Sequence, residues 1–170
     1  MTTATPVISA SAYIAEGAII RGDVRIGERA SIWFNAVVRG DEGPIRIGDE
    51  TNVQDCCVLH SDIGAAVDIG GRVTIGHGAV VRGACIGDCV MIGMNSTVMS
   101  GAVIGEGSIV GAASFVPYRA RFPAYSMIYG SPARLIRPLQ EWEREQHRIA
   151  FEKYLELAAG YRCGTWKGTV

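Results

Sequence analysis

Residues 73–116 read VTIGHGAVVRGACIGDCVMIGMNSTVMSGAVIGEGSIVGAASFV. A branched aliphatic returns at Ile75, Val81, Ile86, Ile92, Val98, Ile104, Val110 and Val116, six residues apart at every step but one. The same beat runs upstream through Ile8, Ile14, Ile20, Ile26, Ile32 and Val38, then Ile47, Val53 and Leu59, and Ile69 joins it to the quoted stretch. Four residues after most markers stands a second small or aliphatic residue, among them Ala18, Val24, Ala30, Ala36, Cys57, Val73, Ala79, Ser96 and Ala102. One such repeat cannot bury its own apolar face, so stacked repeats must share a core. The beat predicts an all-β solenoid, a parallel β-helix of triangular coils with three hexapeptides to a coil. Eighteen markers make about six coils.

The remaining composition suits that shape. Charged residues make up 19 % of the 170 residues, and there are 22 glycines for the corners. A net charge of −1, with no run of lysine or arginine, argues against a nucleic-acid partner. No eighteen-residue apolar stretch is present, so no membrane span is expected. Met1–Pro6 lacks a basic segment followed by an apolar one, which argues against a secretory signal. Five cysteines without CxxC spacing read as reduced thiols of a cytoplasmic protein.

The beat slips in three places. Val38 to Ile47 is nine residues, with Asp41-Glu42-Gly43-Pro44 in the gap, and Leu59 to Ile69 is ten, with Ser61–Ala66 as the bulge. Val81 to Ile86 is one short. Insertions in a solenoid emerge as loops on one face, often the binding face. The expected organisation is a β-helix over residues 6–117, an irregular return segment over 118–137, a helix over 138–160 and a tail over 161–170. The helix shows 3.6-residue spacing and acidic first turns, and its apolar content predicts packing against the solenoid or a neighbouring chain.

Because markers point inward, their successors point outward. Arg21, Arg39, His60, Arg82 and Met99 then form one column, with Arg39, His60 and Arg82 roughly 5 Å apart on successive coils. Trp33, Gln54, Gly76 and Gly93 form a second, and Phe34, Asp55, His77 and Met94 flank it. His60 and His77 therefore lie on different faces of one chain. They can share a ligand only between chains, which points to a homotrimer with a site at each interface.

Each residue also has a plain reading. A surface histidine is commonly just solvated. Asn52 and Asp55 can cap coil corners, and Arg39 with Asp41 can be a simple ion pair. Cys57 and Cys85 fall at the small inward position, whereas Cys56 and Cys89 fall nearer the surface. His147, on the helix beside charges, reads as solvated.

Several segments together carry a family resemblance: VVRGD at 37–41, TNVQDCCVLH at 51–60, the quoted stretch, and GSPARLIRPL at 130–139. They resemble the γ-class carbonic anhydrase family, nearest its carnitine-operon and phenylacetate-degradation branch, over residues 6–140. The resemblance implies a left-handed β-helix, a homotrimer and a divalent metal, zinc or another, held by three histidines at each interface. His60 and His77 match two of the metal ligands. Arg39, Asp41, Gln54 and Asp55 match residues around the metal and its water, and Asn52 matches as well. The third histidine falls at position 82, which is Arg82 here. A guanidinium is not a metal ligand. Either another group substitutes, Asp62 or Cys56, or the metal is weak or absent.

Three functions follow as expectations. The first is hydration of carbon dioxide or hydrolysis of a small thioester at an interface metal, with Gln54 orienting oxygen and Arg39, Asp41 and Asp55 holding the network. The second is an acyl-CoA-dependent acyltransferase with His60 or His77 as base. The third is a non-catalytic scaffold that binds an anion through Asn52, Arg39 and Arg82. In the first two the substrate is a small molecule.

Overall fold

The computed structural model describes residues 4–166; residues 1–3 and the last four of the expected tail lie outside it. The chain winds into a left-handed parallel β-solenoid of about seven turns, followed by one helix. On the first face Val37–Ile47, Val58–His60, Val80–Arg82, Thr97–Val98 and Phe115–Val116 stack in parallel. A second face carries Val67–Ile69, Cys85–Ile86, Val103–Ile104 and Arg121–Phe122. The third carries Tyr13–Ile14, Ser31–Ile32, Asn52–Val53, Thr74–Ile75, Met91–Ile92, Ile109–Val110 and Ser126–Gly130. The long strand Val37–Ile47 turns a corner and so joins the first two faces into one sheet.

The hexapeptide markers are the core. Ile32, Val38, Val53, Leu59, Ile75, Val81, Ile92, Val98, Val110 and Val116 are each 0 % exposed. Ile8 lies at the open first turn and is 40 % exposed. Where the second small position is serine, its hydroxyl is spent inside the coil: Ser96 donates to the Gly111 carbonyl at 2.9 Å and Ser108 to that of Pro123 at 3.1 Å. The corners need left-handed backbone even without glycine. Arg29, Glu50, Arg72 and Cys89 hold one corner of successive turns at φ of 53° to 61°. Coil-to-coil bonds offset that cost, with the Glu50, Arg72 and Cys89 amides donating at 2.7, 2.9 and 2.9 Å to the turn before.

Three expectations change. The solenoid does not stop at Pro117: Phe122 pairs with Ile104 and Ile128 with Val110, adding a turn beyond the six expected. Both residues keep the six-residue beat, and Pro117 and Pro123 sit at corners, where a missing amide proton breaks no ladder. Residues 118–137 are thus rungs plus an antiparallel hairpin partner, Ala133–Pro138, not an irregular return. Cys85 is exposed, whereas Cys57 is buried as expected. The five-residue step after Val81 puts Ala84, 2 % exposed, at the inward position.

The helix α1 spans Glu141–Arg162, starting three residues later than the spacing suggested and continuing past Gly160. Glu143 accepts the Gln140 amide at 2.9 Å and clasps Arg137 at 2.7 and 2.8 Å, which fixes its first turn to the hairpin. α1 then runs back over the third face. Trp33 points out of the solenoid but is only 4 % exposed, because Tyr154 and Tyr161 of α1 close over it. His147, read as solvated from its charged neighbours, is 7 % exposed, one of the buried residues of α1. No helix among the described residues is long and apolar enough to cross a membrane.

Candidate functional site

The first face aligns Arg39, His60 and Arg82 in direct register, as the eighteen-residue return requires. The two inserted loops bring acids to this column. The Arg39 guanidinium donates to both Asp41 oxygens, at 2.9 and 2.7 Å, and holds that carboxyl below its usual pKa. Arg82 donates from Nε to Asp62 Oδ1 at 2.6 Å, and Ser100 donates to the other Asp62 oxygen. Burial opposes ionisation of Asp62, but the bonds from Ser100 and Arg82 outweigh it and its pKa falls.

His60 sits between the two pairs. Its Nε2 lies 3.5 Å from Asp41 Oδ1 and its Nδ1 3.8 Å from Asp62 Oδ1. Nε2 is buried and makes no hydrogen bond. Donor atoms of Glu42, His60 and Asp62 all lie within 4.8 Å of one another. Cys56, the other substitute considered, is an exposed corner residue with φ 59° and is not in this group.

A second cluster forms at the corner after the strand Thr74–Ile75. His77 Nδ1 lies 2.7 Å from Asp55, and its Nε2 lies 3.1 Å from the Tyr154 hydroxyl of α1. Burial pushes the Tyr154 phenol up, so it stays protonated and able to donate. Gln54 Oε1 accepts the His77 amide at 3.1 Å, and its amide group donates to Asn52 Oδ1 at 3.1 Å. Asn52 in turn donates to Thr74 at 2.9 Å.

This ladder revises two sequence expectations. Asn52, expected to touch an anion, is 1 % exposed; Gln54, expected to orient a substrate oxygen, is 6 % exposed. Both ends of the Gln54 amide are committed, so in the single chain these residues position His77 rather than meet solvent. Tyr154, Ser100 and Glu42 were not singled out in the sequence. Glu42 was legible from its place in the first inserted loop. Ser100 and Tyr154 reach the site only through the stacking of a later turn and the docking of α1.

The fold places the chain among hexapeptide-repeat proteins, and residues 5–40 and 86–117 match the family described as bacterial transferase hexapeptide, six repeats. A carbonic anhydrase of Geobacillus kaustophilus is 42 % identical over 160 residues, covering 94 % of this chain and 87 % of that protein. The carnitine operon protein CaiE of Escherichia coli is 37 % identical over 158 residues, 93 % of this chain and 80 % of that one. The crystal structure of a hexapeptide transferase family protein from Anaplasma phagocytophilum superposes with a TM-score of 0.88 at 37 % identity, covering 92 % of each chain. The chain belongs to the γ-carbonic-anhydrase-like family of hexapeptide-repeat proteins, on the branch that includes the carnitine operon proteins.

Relatives named carbonic anhydrase imply a metal such as zinc. The side chains at the first face fit one, though not as three histidines. His60 offers an imidazole donor with its Nδ1 on the Asp62 side, and Glu42 and Asp62 add two carboxylates. Imidazole with carboxylate oxygen is a donor chemistry zinc accepts. The Arg82 charge, which would repel a cation, is already paired with Asp62.

Proposed function

We propose that this protein is a metal-dependent enzyme that adds water to a small carbonyl compound, carbon dioxide or a small thioester, at sites shared between the subunits of a homotrimer. The observation that carries this reading is the grouping of donor atoms from Glu42, His60 and Asp62, all within 4.8 Å of one another. In this reading His60, Asp62 and Glu42 hold the metal from one subunit. Asp62 and Glu42 stand in for the donor lost at position 82, and His77 comes from a neighbouring subunit. When bound, such a metal supplies Lewis-acid chemistry, polarising a carbonyl and making water nucleophilic near neutral pH.

The chain's own residues do the positioning. Asp55 accepts a hydrogen bond from His77 Nδ1–H, which leaves the Nε2 lone pair as the ligand atom; the Tyr154 hydroxyl donates to that lone pair in the single chain. Arg39 keeps Asp41 ionised beside His60, where the carboxylate can accept a hydrogen bond from an approaching water and orient it. Arg82 and Ser100 fix the Asp62 carboxylate from behind, as outer partners orient metal-binding carboxylates elsewhere. Exposed Met94, at 52 %, lies in the His77 column, and Ile63, at 84 %, tips the second inserted loop; both suit burial at a subunit contact.

The test is metal content after purification without chelator, with carbon dioxide hydration and thioester cleavage measured on the same sample. About one zinc per chain is expected, with affinity lowered by Asp62→Asn, which replaces a charged ligand oxygen with a neutral amide. Protein that takes up no zinc, or sediments as a monomer at micromolar concentration, would refute the reading. An acyltransferase is the second reading. It is favoured by the His60 ring lying between two carboxylates, Asp41 at 3.5 Å and Asp62 at 3.8 Å, the surroundings of a histidine general base. It requires thiol release from acetyl-CoA that depends on an amine or hydroxyl acceptor and survives chelator.

A further inference from the structure

The charges are not spread evenly along the chain. Residues 107–140 hold four arginines and no aspartate or glutamate, although the whole chain carries a net charge of −1. Arg137 is spent on Glu143. Arg119, Arg121 and Arg134 are exposed and make no ion pair among the described residues. Elsewhere the chain pairs Arg39, Arg46, Arg72, Arg82 and Arg148 with carboxylates.

The three open arginines all belong to the end of the solenoid. Arg119 stands at the corner after Phe115–Val116, the final strand of the first face, and its amide donates to the Ser100 carbonyl of the turn before at 3.1 Å. Arg121 lies on Arg121–Phe122, the final strand of the second face. Arg134 lies on Ala133–Pro138, the strand that ends the third face. The cations therefore surround the end of the coil rather than line one side of it.

Apolar groups stand among them. Tyr118, Tyr129, Leu135 and Ile136 are all exposed. Leu135 pairs with the core residue Ile128, so its side chain turns to the core side, at the open end of the coil. Ile136 has no partner in the ladder, because the register shifts between Met127 and Ile128.

We propose that this end of the solenoid docks on an anionic lipid surface, with Arg119, Arg121 and Arg134 at the headgroup phosphates and Leu135, Ile136 and the two tyrosine rings at the acyl boundary. Guanidinium pairs with phosphate through parallel N–H bonds, and tyrosine suits a boundary that is apolar on one side and wet on the other. Such a contact lies on the membrane and needs no crossing helix. Charge argues against a second copy as the occupant. Two such ends repel, and the first turn, residues 7–26, offers only Glu16 against Arg21 and Arg25 once Asp23 is spent on Arg46. An extended acidic peptide added to the edge of Ala133–Pro138 would follow the third face, leaving Arg119 and Arg121 beyond it, and Pro132, Pro138 and the bulge blunt that edge. The surface uses neither His60 nor His77 and stands apart from the metal-dependent reading.

The test is flotation of the full chain with vesicles of phosphatidylcholine alone and of phosphatidylcholine with about 30 % phosphatidylglycerol. The chain should float with the anionic vesicles only, and less as salt rises from about 0.05 to 0.5 M. Arg119→Gln, Arg121→Gln and Arg134→Gln should each weaken binding about fivefold, and the three together about 100-fold. Arg25→Gln, which removes the same charge at the opposite end, should leave binding unchanged. Ile136→Asn, at an exposed position, should weaken binding about tenfold without changing the melting temperature. No flotation with anionic vesicles at low salt, an equal loss in Arg25→Gln, or full binding by Ile136→Asn would each overturn the proposal. Retention on polyglutamate with the same dependence on the three arginines would also overturn it, assigning this end to an acidic protein.

Discussion

Trp33→Ala tests whether α1 is part of the folded single chain, on which the setting of His77 depends. The indole is 4 % exposed. Its ring lies 5.3 Å from those of Tyr13 and Tyr154 and 5.5 Å from that of Tyr161, and its Nε1 donates to buried Ser31 Oγ at 3.0 Å. Removing a buried tryptophan costs about 3–5 kcal/mol. Edge-on ring pairs contribute about 0.5–1.5 kcal/mol each beyond the area they bury, which three pairs make consistent with the upper part of that range. Set against a total of about 5–15 kcal/mol for a domain, the loss is large. At about 2–4 °C per kcal/mol for a chain of this size, the melting temperature should fall by about 6–20 °C. Trp33→Phe keeps an aromatic ring in the cluster and should recover part of the loss. The assay is thermal unfolding by circular dichroism, with amide exchange to locate the change. Exchange should rise along α1 and at His77, because Tyr154 is the contact between them. A Trp33→Ala melting temperature within about 2 °C of wild type would refute the reasoning, since that is what a surface substitution produces.

Ile75→Asp places a charge at a 0 % exposed core position and should prevent folding, whereas Glu106→Lys at an exposed corner, losing only its bond from Tyr125, should stay within about 0.5 kcal/mol of wild type. Equal melts for the two would mean the coil register is wrong. Arg82→His should raise zinc affinity about tenfold or more by restoring a nitrogen donor, with Arg82→Ala intermediate because it removes a positive charge beside the site but adds no ligand and gives up the bond that orients Asp62; competition against a calibrated chelator reads this out, and identical affinities would exclude position 82 from the metal site. His147 gives a pH dependence whose sign is fixed. Burial lowers its folded pKa from 6.5 to about 4, so between those values the unfolded chain binds a proton that the folded chain does not. Its contribution to stability is therefore full above about pH 6.5 and is lost as pH falls towards 4. Urea midpoints for wild type and His147→Gln should converge over that window, and a gap independent of pH would show that His147 is solvated.

The site was legible in the sequence as far as periodicity reaches. An eighteen-residue return, corrected for the two inserted loops, puts Arg39, His60 and Arg82 in one column, and the structure pairs them residue for residue. Asp41 beside Arg39 follows from two-residue spacing on one strand. What the period could not give is the partner of Arg82. Asp62 lies in the loop after Leu59, outside the beat, and its carboxylate turns back to meet Arg82 and Ser100 from turns further along the chain. The one-residue slip before Ile86 was visible, but which of Ala84 and Cys85 would face inward was not, because either choice closes a coil and only packing selects the smaller side chain.

By itself, then, the sequence determined which residues face in, which stack and in what order, because a β-helix repeats one local geometry and each turn copies the register of the last. The tertiary structure decided which outward residues stay outward. Trp33 lies outside the solenoid core yet is 4 % exposed, because α1 folds back across a turn more than a hundred residues earlier, and His147 on α1 is 7 % exposed. That docking depends on the summed shape of several turns at once, a property that no window of the sequence contains.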